Sequence, residues 1–342
     1  AEAGTIYTPR DHYWTWLLAR TFVQSADGTY HEVVAHLTRT HLVMETFWVA
    51  ANRTLPAQHP LYQLLQPHFT GTIQINHDAR STLLAPGGPI DESIAIGAEG
   101  ALDLIGLAYQ DWSFDGASPL QDFQARGVDS IDVLPRYHYR DDALLLHQAI
   151  DTYARDTLRT FYTSDHDVQT DVELQAWIRE LCCADGGRVS GLPVHEGQVQ
   201  TVSDLVRVVT QILFTVSVEH AAVNNGQYAQ FGWIPNTPGA LYLPPPTDHD
   251  ERGEENFVYA LPDAYAVGQQ LTLVHLLSQR SLTPLGMYPE DFFHMVWPVR
   301  NALDRLRADL DDAGRHIQQR NQRLAVPYRY LEPWLVGRSI AI

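Results

Sequence analysis

Five histidines occur at fixed steps near the start of the chain. His31, His36 and His41 are five residues apart, and His59 and His68 follow. In an α-helix five residues advance the chain by about 500°, so neighbours in the series would point about 140° apart. A π-type turn brings residues five apart onto one face, and such turns are frequent at functional sites. Because imidazole is the commonest metal ligand, the series favours a metal half-site on a locally widened helix over a set of hydrogen-bonded core histidines.

A second pair of polar residues lies inside the most apolar segment of the sequence, residues 203–224. His220 and Asn224 are four residues apart, and therefore on one face of a helix that is otherwise rich in Val, Leu, Ile and Phe. Burying two polar side chains there costs free energy unless their polar atoms are satisfied. A metal ion would satisfy them, and so would hydrogen bonds within the core. The spacing leaves both open.

The end of the chain is also unusual for a terminus. The last residues, SIAI, are apolar and finish on Ile342. If this tail runs into the interior, its carboxylate is buried and needs a cation or a metal ion beside it. An apolar tail that frays into solvent is the alternative.

The elements that must position these residues are mainly helical. Apolar residues recur with a helical period, and the long helices at about 29–55 and 203–224 carry the histidines, with further helices at about 264–280 and 290–321. An alternating stretch, 72–76, predicts a β-strand, while Gly and Pro predict loops at 83–93, 184–200 and 235–256. We therefore predict one mainly α region over residues 1–342, whose tail, 322–342, contains two prolines and cannot be a single helix.

Composition excludes several classes of partner. The chain has 342 residues, of which 45% are hydrophobic, and a net charge of −18. This charge argues against nucleic acid or an anionic membrane surface as the main partner. Cys182 and Cys183 are adjacent, so they predict no disulfide framework. No uninterrupted apolar run approaches the roughly 18 residues needed to cross a bilayer, so we expect no transmembrane segment, and the compartment stays open.

The histidine series, His-x4-His-x4-His-x17-His-x8-His, resembles the signature of the lipoxygenase family. Other segments that look like the family are WLLARTFVQSAD, HPLYQLL, DVELQAW, HAAVN and the C-terminal Ile. The resemblance covers about residues 12–342 and implies a lipoxygenase-type helical catalytic domain with long central ligand-bearing helices. It also implies that the family's N-terminal portion and β-barrel domain are absent from this chain. A minimal enzyme, a split protein with its N-terminal fragment in a second chain, and a domain cut from a longer protein all remain open.

The resemblance implies a set of iron ligands, namely His36, His41, His220, Asn224 and the terminal carboxylate of Ile342. Asn224 would be a weak ligand through its amide oxygen. Imidazoles and one carboxylate with an open position suit one non-haem iron ion, and manganese, which accepts the same ligands, is the less favoured metal. The remaining histidines of the series, His31, His59 and His68, look structural or supporting.

The resemblance also implies residues that hold the substrate. Leu83, Ile90 and Leu277 would pack against the reactive methylene of a fatty acid. Gln227 and Glu32 would link the amide ligand to the substrate and the iron through hydrogen bonds.

The implied activity is that of a non-haem iron dioxygenase. It would insert O2 into free polyunsaturated fatty acids that contain a cis,cis-1,4-pentadiene. Ala79 falls at the position that controls stereochemistry in the family, where Ala goes with S-hydroperoxides because its methyl group fills the oxygen pocket at one end of the pentadiene. Two alternatives are a fatty-acid hydroperoxide isomerase on the same scaffold, which needs no O2, and a non-catalytic partner half of a split lipoxygenase.

Overall fold

A computed structural model describes residues 4–279, 283–289, 292 and 297–342. These residues contain two isolated β-bridges and no strand, which confirms the mainly α fold. Residues 280, 290–291 and 293–296, where two predicted helices end or begin, lie outside the described part. The α-helices are α1 (Tyr13–Tyr30), α2 (Val43–Thr54), α3 (Pro60–Leu65), α4 (Thr72–Asp78), α5 (Pro89–Ser93), α6 (Gly97–Asp111), α7 (Pro119–Ala125), α8 (His138–Phe161), α9 (Asp165–Thr170), α10 (Val172–Cys182), α11 (Val202–Phe214), α12 (His220–Asn224), α13 (Gln227–Phe231), α14 (Glu254–Ala260), α15 (Ala264–Leu277) and α16 (Trp297–Asn321).

Within the described residues, three π-helical segments interrupt these helices: π1 (His31–Leu42), π2 (Ala79–Leu83) and π3 (Thr215–Glu219). The longest, π1, joins α1 to α2, so the predicted widened helix is confirmed and extends over 12 residues. Within it the Thr38 hydroxyl donates to the carbonyl of Val33, five residues earlier, at 2.6 Å. The sequence did not predict π2 or π3.

The prediction of a β-strand at 72–76 was wrong, because these residues form α4. Thr72 and Asn76, four residues apart, are buried on one face of this helix, whereas Ile73 is 43% exposed. The predicted loop at 83–93 includes the short helix α5, which starts at Pro89, where proline's fixed φ suits the first helical position.

The chain divides into two compact units. The first comprises Ala1–Thr38, His77–Ala108 and Val223–Gln279; the second comprises Arg39–Asn76, Tyr109–Ala222 and Arg280–Ile342. In the first unit α15 packs against α5 and α13, and α5 also contacts π2. In the second unit α8 packs against α11 and α16. Boundaries between the units fall inside π1 and α12, so both of these helices contribute residues to each unit.

By length and composition alone, the helical stretch Val202–Phe231 is long and apolar enough to cross a membrane, with a mean hydropathy of 1.3. Of its most apolar 18-residue part, 78% is buried inside the structure, which is typical of a core helix. Its first helix, α11, begins after Thr201, whose hydroxyl accepts a hydrogen bond from the Asp204 amide at 3.0 Å and so caps the helix.

Candidate metal centre

The structure brings together three of the histidines that the sequence singled out. His36 and His41 lie on π1, and His220 is the first residue of α12. All three side chains are buried, and one ring nitrogen from each lies within 4.8 Å of the others. Three imidazole nitrogens at this spacing match the donors that non-haem iron accepts, so the arrangement fits a metal site. The five-residue spacing on a π-helix is what allows two of them to share a face.

His41 is oriented by the amide of Asn76. The Nδ1 atom of His41 donates to Asn76 Oδ1 at 3.0 Å, since the amide oxygen can only accept. Asn76 Nδ2 in turn donates to the carbonyl of His41 and to Glu45 Oε2, each at 3.0 Å. The ring of His41 lies edge-on to that of His220, with centroids 5.0 Å apart. Because Nδ1 carries the proton, Nε2 of His41 offers its lone pair to a metal.

His36 lies beside a buried carboxylate. Its Nδ1 atom is 3.5 Å from Glu32 Oε2, and His31 Nδ1 is 3.2 Å from Glu32 Oε1. Burial alone would raise the pKa of Glu32, but the hydrogen bonds from His31 and His36 outweigh it and lower the pKa to about 2. Glu32 is therefore an anion that accepts from both rings.

Asn224 is held by its neighbours on the first unit. Gln227 Nε2 donates to Asn224 Oδ1 at 3.1 Å and to the carbonyl of Leu277 at 3.2 Å, and it also lies 3.5 Å from His36 Nδ1. The Asn224 amide donates to the carbonyl of Gln279 at 3.1 Å. The structure thus bonds Gln227 to Asn224 and places it beside His36, while the role of Gln227 and Glu32 as a supporting pair stays a prediction. A ligand role for Asn224 itself stays a prediction.

The C-terminal tail is partly buried. Ser339 and Ile340 are buried, Ala341 is exposed and Ile342 is half-buried. The expectation of an inward-running tail agrees with the burial of residues 339–340. A metal bond of the Ile342 carboxylate stays a prediction.

The predicted substrate residues lie on neighbouring elements of the first unit. Ala79 is buried at the start of π2, Leu83 is half-buried at its end, Ile90 is buried on α5, and Leu277 is half-buried at the end of α15. Because α5 packs against both π2 and α15, these elements adjoin. A small cavity of about 30 Å³ lies beside Glu32, and its lining includes Ile94, next to α5, and residues of α15, but none of these four side chains.

The other histidines of the series make structural contacts. His59 Nε2 lies 3.0 Å from Asp171 Oδ2, and its Nδ1 accepts from the amide of Leu61 at the start of α3. His68 donates from Nδ1 to the carbonyl of Arg338 at 2.9 Å and accepts at Nε2 from the Tyr288 hydroxyl at 2.9 Å.

Sequence reasoning missed Asn76, which holds His41, and Thr72. Both are polar, buried and four residues apart in TIQINHD. Polar residues at this spacing are a helical signal, which the alternation of Ile73 and Ile75 with polar residues obscured.

Comparison with known proteins shows that this chain belongs to the lipoxygenase family. The family model named Lipoxygenase matches residues 2–331. The chain is 38% identical to the polyunsaturated fatty acid lipoxygenase ALOX15B of Homo sapiens and 37% identical to the hydroperoxide isomerase ALOXE3 of Homo sapiens. Each match covers 98% of this chain, but only 49% and 47% of the respective relatives, so the chain spans about half their length.

Solved structures give the same family. The fold superposes on a calcium-dependent 11R-lipoxygenase with a TM-score of 0.92 and 33% identity, over 99% of this chain and 50% of the other. It superposes on a coral 8R-lipoxygenase with a TM-score of 0.93 and 31% identity, over 99% and 51%. The resemblance read from the histidine spacing is therefore confirmed, together with the lipoxygenase-type helical fold.

Proposed function

We propose that this chain is a non-haem iron dioxygenase that converts free polyunsaturated fatty acids with a cis,cis-1,4-pentadiene into S-hydroperoxides. The observation that carries the proposal is the cluster of three buried imidazoles on π1 and α12. Membership of the lipoxygenase family supports the same reaction class.

The proposed ligands of the iron are His36, His41, His220, Asn224 and the carboxylate of Ile342. Iron held by such a set supplies the one-electron oxidation that removes a hydrogen atom from the weak bis-allylic C–H bond. Manganese is the alternative metal. The protein's own contribution is to fix the ligands and keep water away, and the hydrogen bonds of Asn76 to His41 and of Gln227 to Asn224 serve the first task.

Side chains of the first unit would hold the diene. Leu83, Ile90 and Leu277 supply apolar surface for the reactive methylene, and Ala79 limits where O2 can reach the pentadiene. Glu32, which is anionic and hydrogen-bonded to His36, fixes the orientation of that ring.

Two other functions are outcomes of the same test. A fatty-acid hydroperoxide isomerase is favoured by the 37% identity to a relative of that name. A non-catalytic half that pairs with a second chain carrying an N-terminal lipoxygenase fragment is supported by the chain's coverage of about half of its relatives.

The test combines metal analysis with the conjugated-diene absorbance of linoleate and of linoleate hydroperoxide. Rising absorbance with linoleate, and about one iron per chain, are expected of the dioxygenase. Loss of the hydroperoxide without O2 would instead indicate the isomerase, and bound metal without either reaction would indicate the non-catalytic half. His41→Ala should lose both metal and activity, whereas His147→Ala, a half-buried histidine on α8, serves as the matched control. Equal metal content in the two variants would contradict the proposed site.

A further inference from the structure

The C-terminal tail is docked on the chain just before and within α4. His68, fully buried, donates from Nδ1 to the carbonyl of Arg338 at 2.9 Å, and the Tyr288 hydroxyl fixes the other side of the ring. Four residues further along the chain, the hydroxyl of Thr72, also fully buried, donates to the carbonyl of Ile340 at 2.9 Å. Both bonds reach main-chain carbonyls, so they fix the path of the tail and not its side chains.

Gly71 lies between these two contacts and adds a steric constraint. Its φ of +84° is in the left-handed region that favours glycine. A Cβ atom at this position would lie 3.1 Å from Cβ of Ala341. The tail therefore passes close to the backbone at residue 71, which no larger residue would allow without displacing it.

The same short helix also holds one of the histidines of the candidate metal centre. Asn76, one helical turn after Thr72 and on the same face, accepts from His41 Nδ1 and donates to the His41 carbonyl, both at 3.0 Å. Both side chains are completely buried. One face of α4 thus contacts the histidine helix through one residue and the tail through another.

We propose that His68, Gly71, Thr72 and Asn76 form a positioning bracket that sets His41 and the C-terminal carboxylate at a fixed separation, ready to bind the same metal ion. The inference rests on the proposed function, because it takes Ile342 as a ligand. Docking the tail beforehand removes most of the conformational entropy that a free terminus would lose when it binds the metal. The bracket residues act through the ligands and are not catalytic themselves.

Substitution of Thr72 tests the bracket, because replacing its hydroxyl alone removes the hydrogen bond to the Ile340 carbonyl. Thr72→Val keeps the shape and removes the hydroxyl, whereas Thr72→Ser keeps the hydroxyl. The matched control is Thr21→Val, in which another fully buried threonine loses a hydroxyl that donates to a backbone carbonyl, that of Leu17, at 2.8 Å. Two readouts are used: loss of ferrous iron to a chromogenic chelator under anaerobic conditions, and release of Ile342 by carboxypeptidase from the metal-free protein.

Thr72→Val is expected to bind ferrous iron about tenfold more weakly than the wild type, the lower end of the effect usual when a residue that positions a metal ligand is changed. It should also release Ile342 faster, while Thr72→Ser and Thr21→Val stay close to the wild type in both assays. If Thr72→Val does not fold, Gly71→Ala is measured in the same assays and should show the same two changes. Iron retention and tail protection equal to the wild type in the folded variant would overturn the bracket.

The experiments distinguish a failure of the bracket from a failure of the proposed function. Carboxypeptidase release from the metal-free protein reports on tail docking alone. A wild type that holds iron and oxygenates no fatty acid contradicts the proposed function and leaves the bracket in place. An active wild type whose Thr72→Val variant holds iron equally well contradicts the bracket alone.

Discussion

Acidification should destabilise the protein through His68. Burial lowers the pKa of this histidine to about 3, from an ordinary value of 6.5. Nδ1 of the ring donates to Arg338 and Nε2 accepts from Tyr288, so the folded protein has no place for a second proton on the ring. In the unfolded chain the same side chain titrates near pH 6.5. Between about pH 6.5 and pH 3 the unfolded state therefore binds one proton more than the folded state, and the free energy of unfolding falls as the pH falls.

The size of this effect follows from the two pKa values. A full difference of one bound proton changes the free energy of unfolding by about 1.4 kcal/mol per pH unit. Since His68 is mostly deprotonated in both states at pH 7 and mostly protonated only in the unfolded state at pH 5, the loss between these pH values is about 2 kcal/mol. Below pH 3 the folded state takes up the proton as well, and this contribution stops growing.

The assay is urea unfolding of the metal-free protein at pH 7 and pH 5, for the wild type and for His68→Gln. Glutamine keeps a donor for the Arg338 carbonyl but cannot titrate, and all other groups titrate in both proteins, so their contributions cancel in the difference. The wild type should lose about 2 kcal/mol more than the variant. His166→Gln, on the surface of α9, is the control and should behave as the wild type. Equal losses in the wild type and His68→Gln would refute the reasoning.

Three further predictions concern the ligands, the product and a structural contact. Deletion of Ile342 shortens the tail by roughly 3.5 Å and should abolish activity. Ile342→Val should cost only about 1 kcal/mol of packing free energy. Equal activity of the truncated and intact chains would exclude a ligand role for Ile342. Ala79→Gly opens a space of about one methyl group and should shift the linoleate product toward the R isomer, as measured by chiral chromatography. A difference of only about 1.4 kcal/mol between the two pathways changes the enantiomer ratio tenfold. An unchanged ratio would mean that Ala79 does not control oxygen access. Asp171→Asn weakens the charge-assisted hydrogen bonds to His59 and Tyr162. The variant should lose about 2 kcal/mol of unfolding free energy and keep the same iron content. A free energy of unfolding equal to that of the wild type would contradict this prediction.

The sequence predicted that His36 and His41 share one face of a widened helix, because a spacing of five residues matches the pitch of a π-helix. Residues five apart can share a face only on a π-helix, and π1 contains His36 and His41. The widened turn before His220 could not be predicted in this way. All residues from 208 to 218 are buried, polar ones included, so the sequence has no single apolar face whose shift would reveal a wider turn.

The misassigned strand has a different cause. In TIQINHD the isoleucines alternate with polar residues, and alternation indicates a half-buried strand. The structure buries the polar face instead, because Thr72 and Asn76 find partners in the tail and on π1, while Ile73 is largely exposed. Those partners lie 268 and 35 residues away in the chain, so no local pattern contains them.

The burial of the polar face of α4 indicates why this seven-residue helix can matter to the candidate metal centre. Fully buried polar side chains are costly unless each finds a partner, and α4 meets that condition only when both the tail and His41 are in place. The tail contact and the histidine contact therefore stabilise the same helix and depend on each other through it. A metal ion that binds both His41 and the terminal carboxylate would close this cycle of contacts. It would then add its binding free energy to an arrangement that the hydrogen bonds of Thr72 and Asn76 already favour.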